Sequence, residues 1–137
     1  MNAKLSVLAV AAGLVLATVP AWAHHSFAAE FDVNQPITLK GTLTKMEWIN
    51  PHGWLYVDVK NPDGTVTNWA VEAGAPNTLL RRGLRKTDFP AGTEVIIEGY
   101  RAKKGAAANG ITVKMTDGRN FFLGSSGSGA PEPPGRQ

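Results

Sequence analysis

The chain has 137 residues and no cysteine, which excludes disulfides, thiolate metal sites, iron–sulfur clusters and cysteine nucleophiles. Hydrophobic residues at 43% supply a core, charged residues at 18% argue against disorder, and 15 Gly with 9 Pro predict many turns and mostly β structure. The formal net charge of +3 becomes +2 when Lys4 leaves with the leader described next, too small an excess to predict a nucleic-acid partner without a basic stripe.

Residues 1–23 read as an export signal. Lys4 is followed by an apolar run from Leu5 to Val19, a helix-breaking Pro20, and Ala21-Trp22-Ala23 as an A-x-A cleavage site. The run is shorter than the ~20 residues of a spanning helix, so no membrane span is expected after cleavage. A periplasmic or secreted protein is predicted. Cleavage after Ala23 leaves His24 first and His25 second. A free α-amine near pKa ~7.7–8.0 and an imidazole near ~6.5 both give up protons readily near neutral pH and become nitrogen ligands.

The folded part is expected over 24–124 as one domain. Ser26 to Pro36 is a lead-in, with Phe27 and Phe31 as apolar anchors. Ile37 to Ile49 predicts a long strand in which Ile37, Leu39, Gly41 and Leu43 share one face, while Met46 and Trp48 take the other parity. That change of face predicts a bulge or sharp bend, and Gly41 permits close backbone approach. Asn50-Pro51-His52-Gly53 is a turn, with Gly53 placed to tolerate a positive φ.

Trp54 to Lys60 predicts a second strand, with Leu55, Val57 and Val59 on one face and Trp54, Tyr56 and Asp58 on the other. Asn61-Pro62-Asp63-Gly64 is a hairpin signal leading into a third strand, Thr65–Glu72. Pro76 to Gly83 predicts a short helix with a proline start and a glycine stop. Glu94 to Ala102 is a fourth strand, Lys103 to Gly110 a loop, and Ile111–Thr116 with Arg119–Leu123 a last hairpin around Asp117-Gly118. Residues 125–137 form a Gly/Ser/Pro tail expected to be disordered. The fold class is therefore all-β: a small OB-like barrel of five to six strands with one short helix between strands three and four, a split sandwich being the competing arrangement.

The segments His24-His25-Ser26-Phe27-Ala28-Ala29-Glu30-Phe31-Asp32, Gly41-Thr42, Glu47-Trp48-Ile49-Asn50-Pro51-His52, Trp69-Ala70-Val71-Glu72, Pro76-Asn77 and Asp117-Gly118-Arg119 carry a family likeness. With them the chain resembles DUF6152, a family of small exported bacterial proteins of unknown function. The resemblance implies an exported β domain and transfers no activity.

Four groups of residues could carry chemistry. His24, His25 and His52, together with the new terminal amine, form a nitrogen set suited to copper, less selectively to zinc or nickel. The ligand types are similar to those of the histidine brace of copper monooxygenases. Trp54 and Tyr56, two residues apart, predict a stacking platform for a small molecule or a cell-envelope polymer, with Asn50 and Glu72 at its margin. Trp48 and Trp69 are expected in or against the core. Glu47, Asp58, Glu72 and Glu98 are read mainly as solvated strand-face carboxylates, Glu72 standing out because it ends a strand. Arg81, Arg82, Arg85 and Lys86 cluster on and after the short helix, where its dipole accounts for them, a phosphate-bearing lipid or polymer being the competing reading. No nucleophile–base order, phosphate loop or zinc-protease helix is present, and no catalytic residue is assigned. The expected function is a binding or accessory protein, with a periplasmic copper-binding protein as the alternative and a protein partner as a third possibility.

Overall fold

The computed structural model describes residues 26–124. The elements in chain order are α1 (Phe27–Glu30), β1 (Phe31–Glu47), β2 (Trp54–Lys60), β3 (Val66–Glu72), α2 (Pro76–Arg81), a 3₁₀ turn (Lys86–Asp88), β4 (Glu94–Ala102), β5 (Ala107–Met115) and β6 (Asn120–Phe122). The strands form one sheet in the order β3-β2-β1-β4-β5-β6. A parallel pairing of β3 with β5, from Ala70↔Ala107 to Glu72↔Asn109, bends that sheet into a ring. This is the all-β, OB-like arrangement expected, with α2 between the third and fourth strands.

β1 makes the ring possible. Residues 37–42 pair with β4 and residues 42–47 with β2, so one strand serves both halves. At Gly41 the strands approach so closely that a Cβ would lie 2.2 Å from the Asp58 carbonyl oxygen. The ladder to β2 slips between Leu43 and Lys45, and the slip lets Leu43 and Met46 both point inward despite their opposite parity. The core they enter includes Leu55, Val57, Val71, Leu79, Ile97 and Val113. Trp69 is buried in it and Trp48 packs against it.

Several boundaries differ from the sequence reading. β1 begins at Phe31 rather than Ile37 and ends at Glu47 rather than Ile49. Its first residues carry no apolar alternation: Asp32 instead accepts hydrogen bonds from the Asn34 N–H and the Gln35 amide, and the ladder to β4 shifts between Phe31 and Pro36. β5 begins at Ala107, inside the expected loop, because Ala107, Ala108 and Asn109 close the ring against β3. Small residues give no strand signal, so only the pairing shows it. Two short helices are present where one was expected, the first being the single turn that seats Phe27 and Phe31. Gly53 has no positive φ; it is instead the point where the β1–β2 loop meets the end of β3, with its N–H bonded to the Gly74 carbonyl at 3.1 Å. Among the described residues no helix is long and apolar enough to cross a membrane.

Candidate functional site

Strand register lines up one set of side chains across the ring. Trp54 on β2 stands opposite Glu72 on β3, Glu72 pairs with Asn109 on β5, and Asn109 pairs with Tyr100 on β4. Their neighbours Leu55, Val71 and Ala108 face the core, so the period-two alternation of a strand turns this row the other way. α1 covers its far end: the Phe27 ring meets Tyr100 edge-on at 5.6 Å and lies 5.6 Å from Phe31.

Glu72 is only 5% exposed and Asn109 only 2%. The expectation of a solvated carboxylate at Glu72 is therefore corrected, because the β1–β2 loop and β5 close over the end of β3. A buried carboxylate needs donors, since desolvation otherwise disfavours its charge. Asn109 Nδ2 donates to Glu72 Oε1 at 3.2 Å, and His52 Nδ1 stands 3.5 Å from Glu72 Oε2. The second contact is longer than an ordinary hydrogen bond. His52 reaches this place because the loop is tied down beside it: the Ala73 N–H donates to the Gly53 carbonyl at 2.8 Å. Asn109 Oδ1 is buried without a hydrogen-bond partner. Asn50 itself is exposed.

Beside this row lies a cavity of about 390 Å³ between α1, the start of β2 and the β4–β5 connection. Trp54, half-buried, forms its aromatic wall. Phe31 adds a second ring, Ala29, Ala102 and Ala107 contribute only methyl groups, and Glu30, Lys103 and Lys104 supply its charges. A larger groove of about 690 Å³ runs over β1, β2, β4 and β5, but it contains no aromatic ring and mixes Lys40, Lys60 and Lys114 with Asp58 and Glu94.

The structure gives Trp54 and Tyr56 different surroundings although they share a strand face. The Tyr56 hydroxyl donates to Glu47 Oε2 at 3.1 Å, Lys45 Nζ lies 5.3 Å from the Tyr56 ring, and Lys45 also bonds Glu47. The Lys45 hydrogen bond, then that of Tyr56, holds the Glu47 carboxyl below its ordinary pKa. Desolvation and the bond to Glu47 raise that of Tyr56. Trp54 is thus the ring that lines a cavity, while Tyr56 is engaged by β1.

The remaining candidates do not converge. Asp58 accepts from the Asn68 amide at 2.7 Å, and Glu98 from the Thr112 hydroxyl at 3.2 Å. Arg81 donates to Thr78, and Arg82 stacks 4.4 Å from the Phe122 ring while bonding the Gly124 carbonyl. His24 and His25 lie outside the described residues. Among the described residues no three His, Cys, Asp or Glu side chains are grouped to hold a metal ion.

A family model matches residues 11–112, that of a family of unknown function, DUF6152. The chain belongs to DUF6152. The match ends within β5, so Asp117-Gly118-Arg119 falls beyond it. No curated protein and no solved structure matches this DUF6152 chain.

Sequence reasoning missed three residues of this candidate site: Lys103, Lys104 and Asn109. All lie in the stretch read as a loop. The available signal was Asn109, a single amide between small residues and the apolar Ile111-Thr112-Val113 run, whose burial only the parallel pairing with Glu72 reveals.

Proposed function

We propose that this DUF6152 protein is an exported binding or accessory protein that holds a ring-bearing ligand, a small molecule or a segment of cell-envelope polymer, against Trp54. One observation carries the reading: a half-buried indole forms the wall of a cavity of about 390 Å³. Cavities of ~300–1,000 Å³ with aromatic walls and few charged groups are the usual form of small-ligand sites. Indole combines a large apolar face with low conformational freedom, so stacking a ring on it costs little ordering. The experiment is calorimetric titration of the purified chain with peptidoglycan-derived disaccharide peptides and with galacturonate oligomers. Saturable binding to at least one, lost in Trp54→Ala with an unchanged unfolding midpoint, is expected. Heat-silent titrations throughout, or equal binding by the variant, reject the Trp54 site.

A second reading, copper at His52 with His24 and His25, is favoured by the carboxylate behind the His52 ring. Metal-binding imidazoles commonly turn their other nitrogen to a carboxylate, which fixes the tautomer and raises ligand basicity. Here Nδ1 faces Glu72. His25 is joined directly to Ser26, the residue that precedes α1. Cu(II) titration of protein whose intact mass begins at His24 should show tight binding that weakens at least tenfold in His52→Ala. Equal affinity in both proteins removes His52 from the site.

A further inference from the structure

Resting on the Trp54 reading, we propose that the ligand is an acidic saccharide, with a sugar ring on the indole and its carboxylate at the Lys104 ammonium. The two lysines of the β4–β5 connection have different occupations. Lys103 builds the cavity: its Nζ donates to the Ala28 carbonyl at 2.6 Å and its backbone N–H to the Glu30 carbonyl at 2.9 Å, so it fastens α1 to the connection. Lys103 also faces the Asp32 carboxylate closely enough to help lower its pKa. Lys104 is exposed and makes no hydrogen bond or ion pair with a described residue. Among the lining residues Glu30 carries one negative charge and Lys103 and Lys104 two positive ones, so the lining itself has one positive charge in excess, with the Asp32 carboxylate lying beside Lys103 outside it.

The walls set the shape of the partner. Ala29, Ala102 and Ala107 share the lining with the rings of Trp54 and Phe31, so the uncharged wall is small methyls and aromatic faces with room for a ring, and Trp54 is only half-buried, so one edge of that ring stays in water. A sugar fits this division. Its C–H face packs on the indole, its hydroxyls keep their solvent, and a carboxylate on C5 meets a compact, mobile ammonium at the rim. A neutral sugar would use the wall and leave the charge unused, and a flat hydrocarbon would leave an apolar edge exposed.

The test compares trigalacturonate with its fully methyl-esterified form, which keeps the rings and removes the charge. At low ionic strength the acid should bind the full chain three- to fivefold tighter than the ester, and 0.5 M salt should erase that preference by screening. Lys104→Glu should abolish the preference while leaving the ester affinity within twofold, and Trp54→Ala should lose both ligands. Equal affinity of the wild-type chain for acid and ester overturns the acidic class and leaves the Trp54 cavity standing. Failure of both compounds to bind overturns the saccharide reading itself. A preference that survives in Lys104→Glu overturns the assignment of that lysine. Lys104 is exposed, and matching thermal midpoints of variant and wild type confirm that the comparison reads binding rather than folding.

Discussion

Glu72 and Asn109 show how much depends on single polar atoms once they leave water. Asn109 Nδ2 has one acceptor, Glu72 Oε1, while Asn109 Oδ1 has none. Glu72→Leu deletes that acceptor and strands the amide donor as well, and a buried group left unpaired costs ~1–3 kcal/mol. Glu72→Leu combined with Asn109→Leu removes both halves of the pair, so its cost should fall below the sum of the two single changes. Urea unfolding of the four proteins reads this directly as a coupling energy. Strict additivity would show that the two side chains do not interact in solution. Glu72 is also the residue where sequence reasoning found the position and misjudged the environment: the end of a strand is visible in the pattern, whereas the loop from β1 that folds over it is not.

Among the elements, the middle of β1 is the most legible in the sequence and its beginning the least. The reversal of parity after Lys45 identified the bulge because it forces Leu43 and Met46 to exchange phase, a conflict only an extra residue resolves. Trp54–Lys60 and Glu94–Ala102 were equally legible, since both alternate cleanly between core and surface. The polar start of β1 and the alanines that open β5 were not, because their strand character comes from partners distant in sequence rather than from their own side chains. Of the candidate site, Trp54 and His52 were visible as residue types in unusual places. The cavity was not, because it is assembled from α1, β2 and the β4–β5 connection. Gly41 illustrates the reliable kind of inference. An alanine Cβ there would meet the Asp58 backbone first and the buried Val57 side chain as well, so Gly41→Ala should cost about 1–3 kcal/mol or more through displacement of β2. Gly64 offers the contrast: its φ of 86° is left-handed and strains a side chain, but nothing lies within 4 Å, so Gly64→Asn, a residue type that visits this region more readily than most, should cost less than Gly41→Ala in the same urea series. Equal losses at the two positions would mean that the close approach at Gly41 is relieved by a small shift of β2.

At the scale of the whole molecule, the ring is held by contacts at its joints, and many of these are carboxylates exposed to solvent. Asp32 at the start of β1 is held below its ordinary pKa first by the Asn34 N–H and then by the Gln35 amide. Asp63 in the β2–β3 turn is lowered by the Thr65 hydroxyl and then its N–H, and Asp117 in the β5–β6 turn by the Arg119 N–H and then its guanidinium. Glu47 at the end of β1 is lowered chiefly by Lys45. Each group binds its proton less readily folded than unfolded, so the unfolded chain takes up more protons in acid and stability falls as pH falls. These contributions are complete above the ordinary values of 3.8 for aspartate and 4.5 for glutamate and disappear as pH drops through the depressed ones. The urea midpoint should therefore be level near pH 6 and decline below about pH 4.5. The causes also separate by salt. Glu47 owes part of its shift to the Lys45 charge, which 0.5 M salt screens, whereas Asp63 owes its shift to the hydrogen bonds of Thr65. Asp63→Asn should flatten the acid limb equally at low and high salt, and Glu47→Gln should flatten it more at low salt. An acid limb that disappears entirely in high salt would show that long-range repulsion among the basic residues, and not these local bonds, opens the ring at low pH.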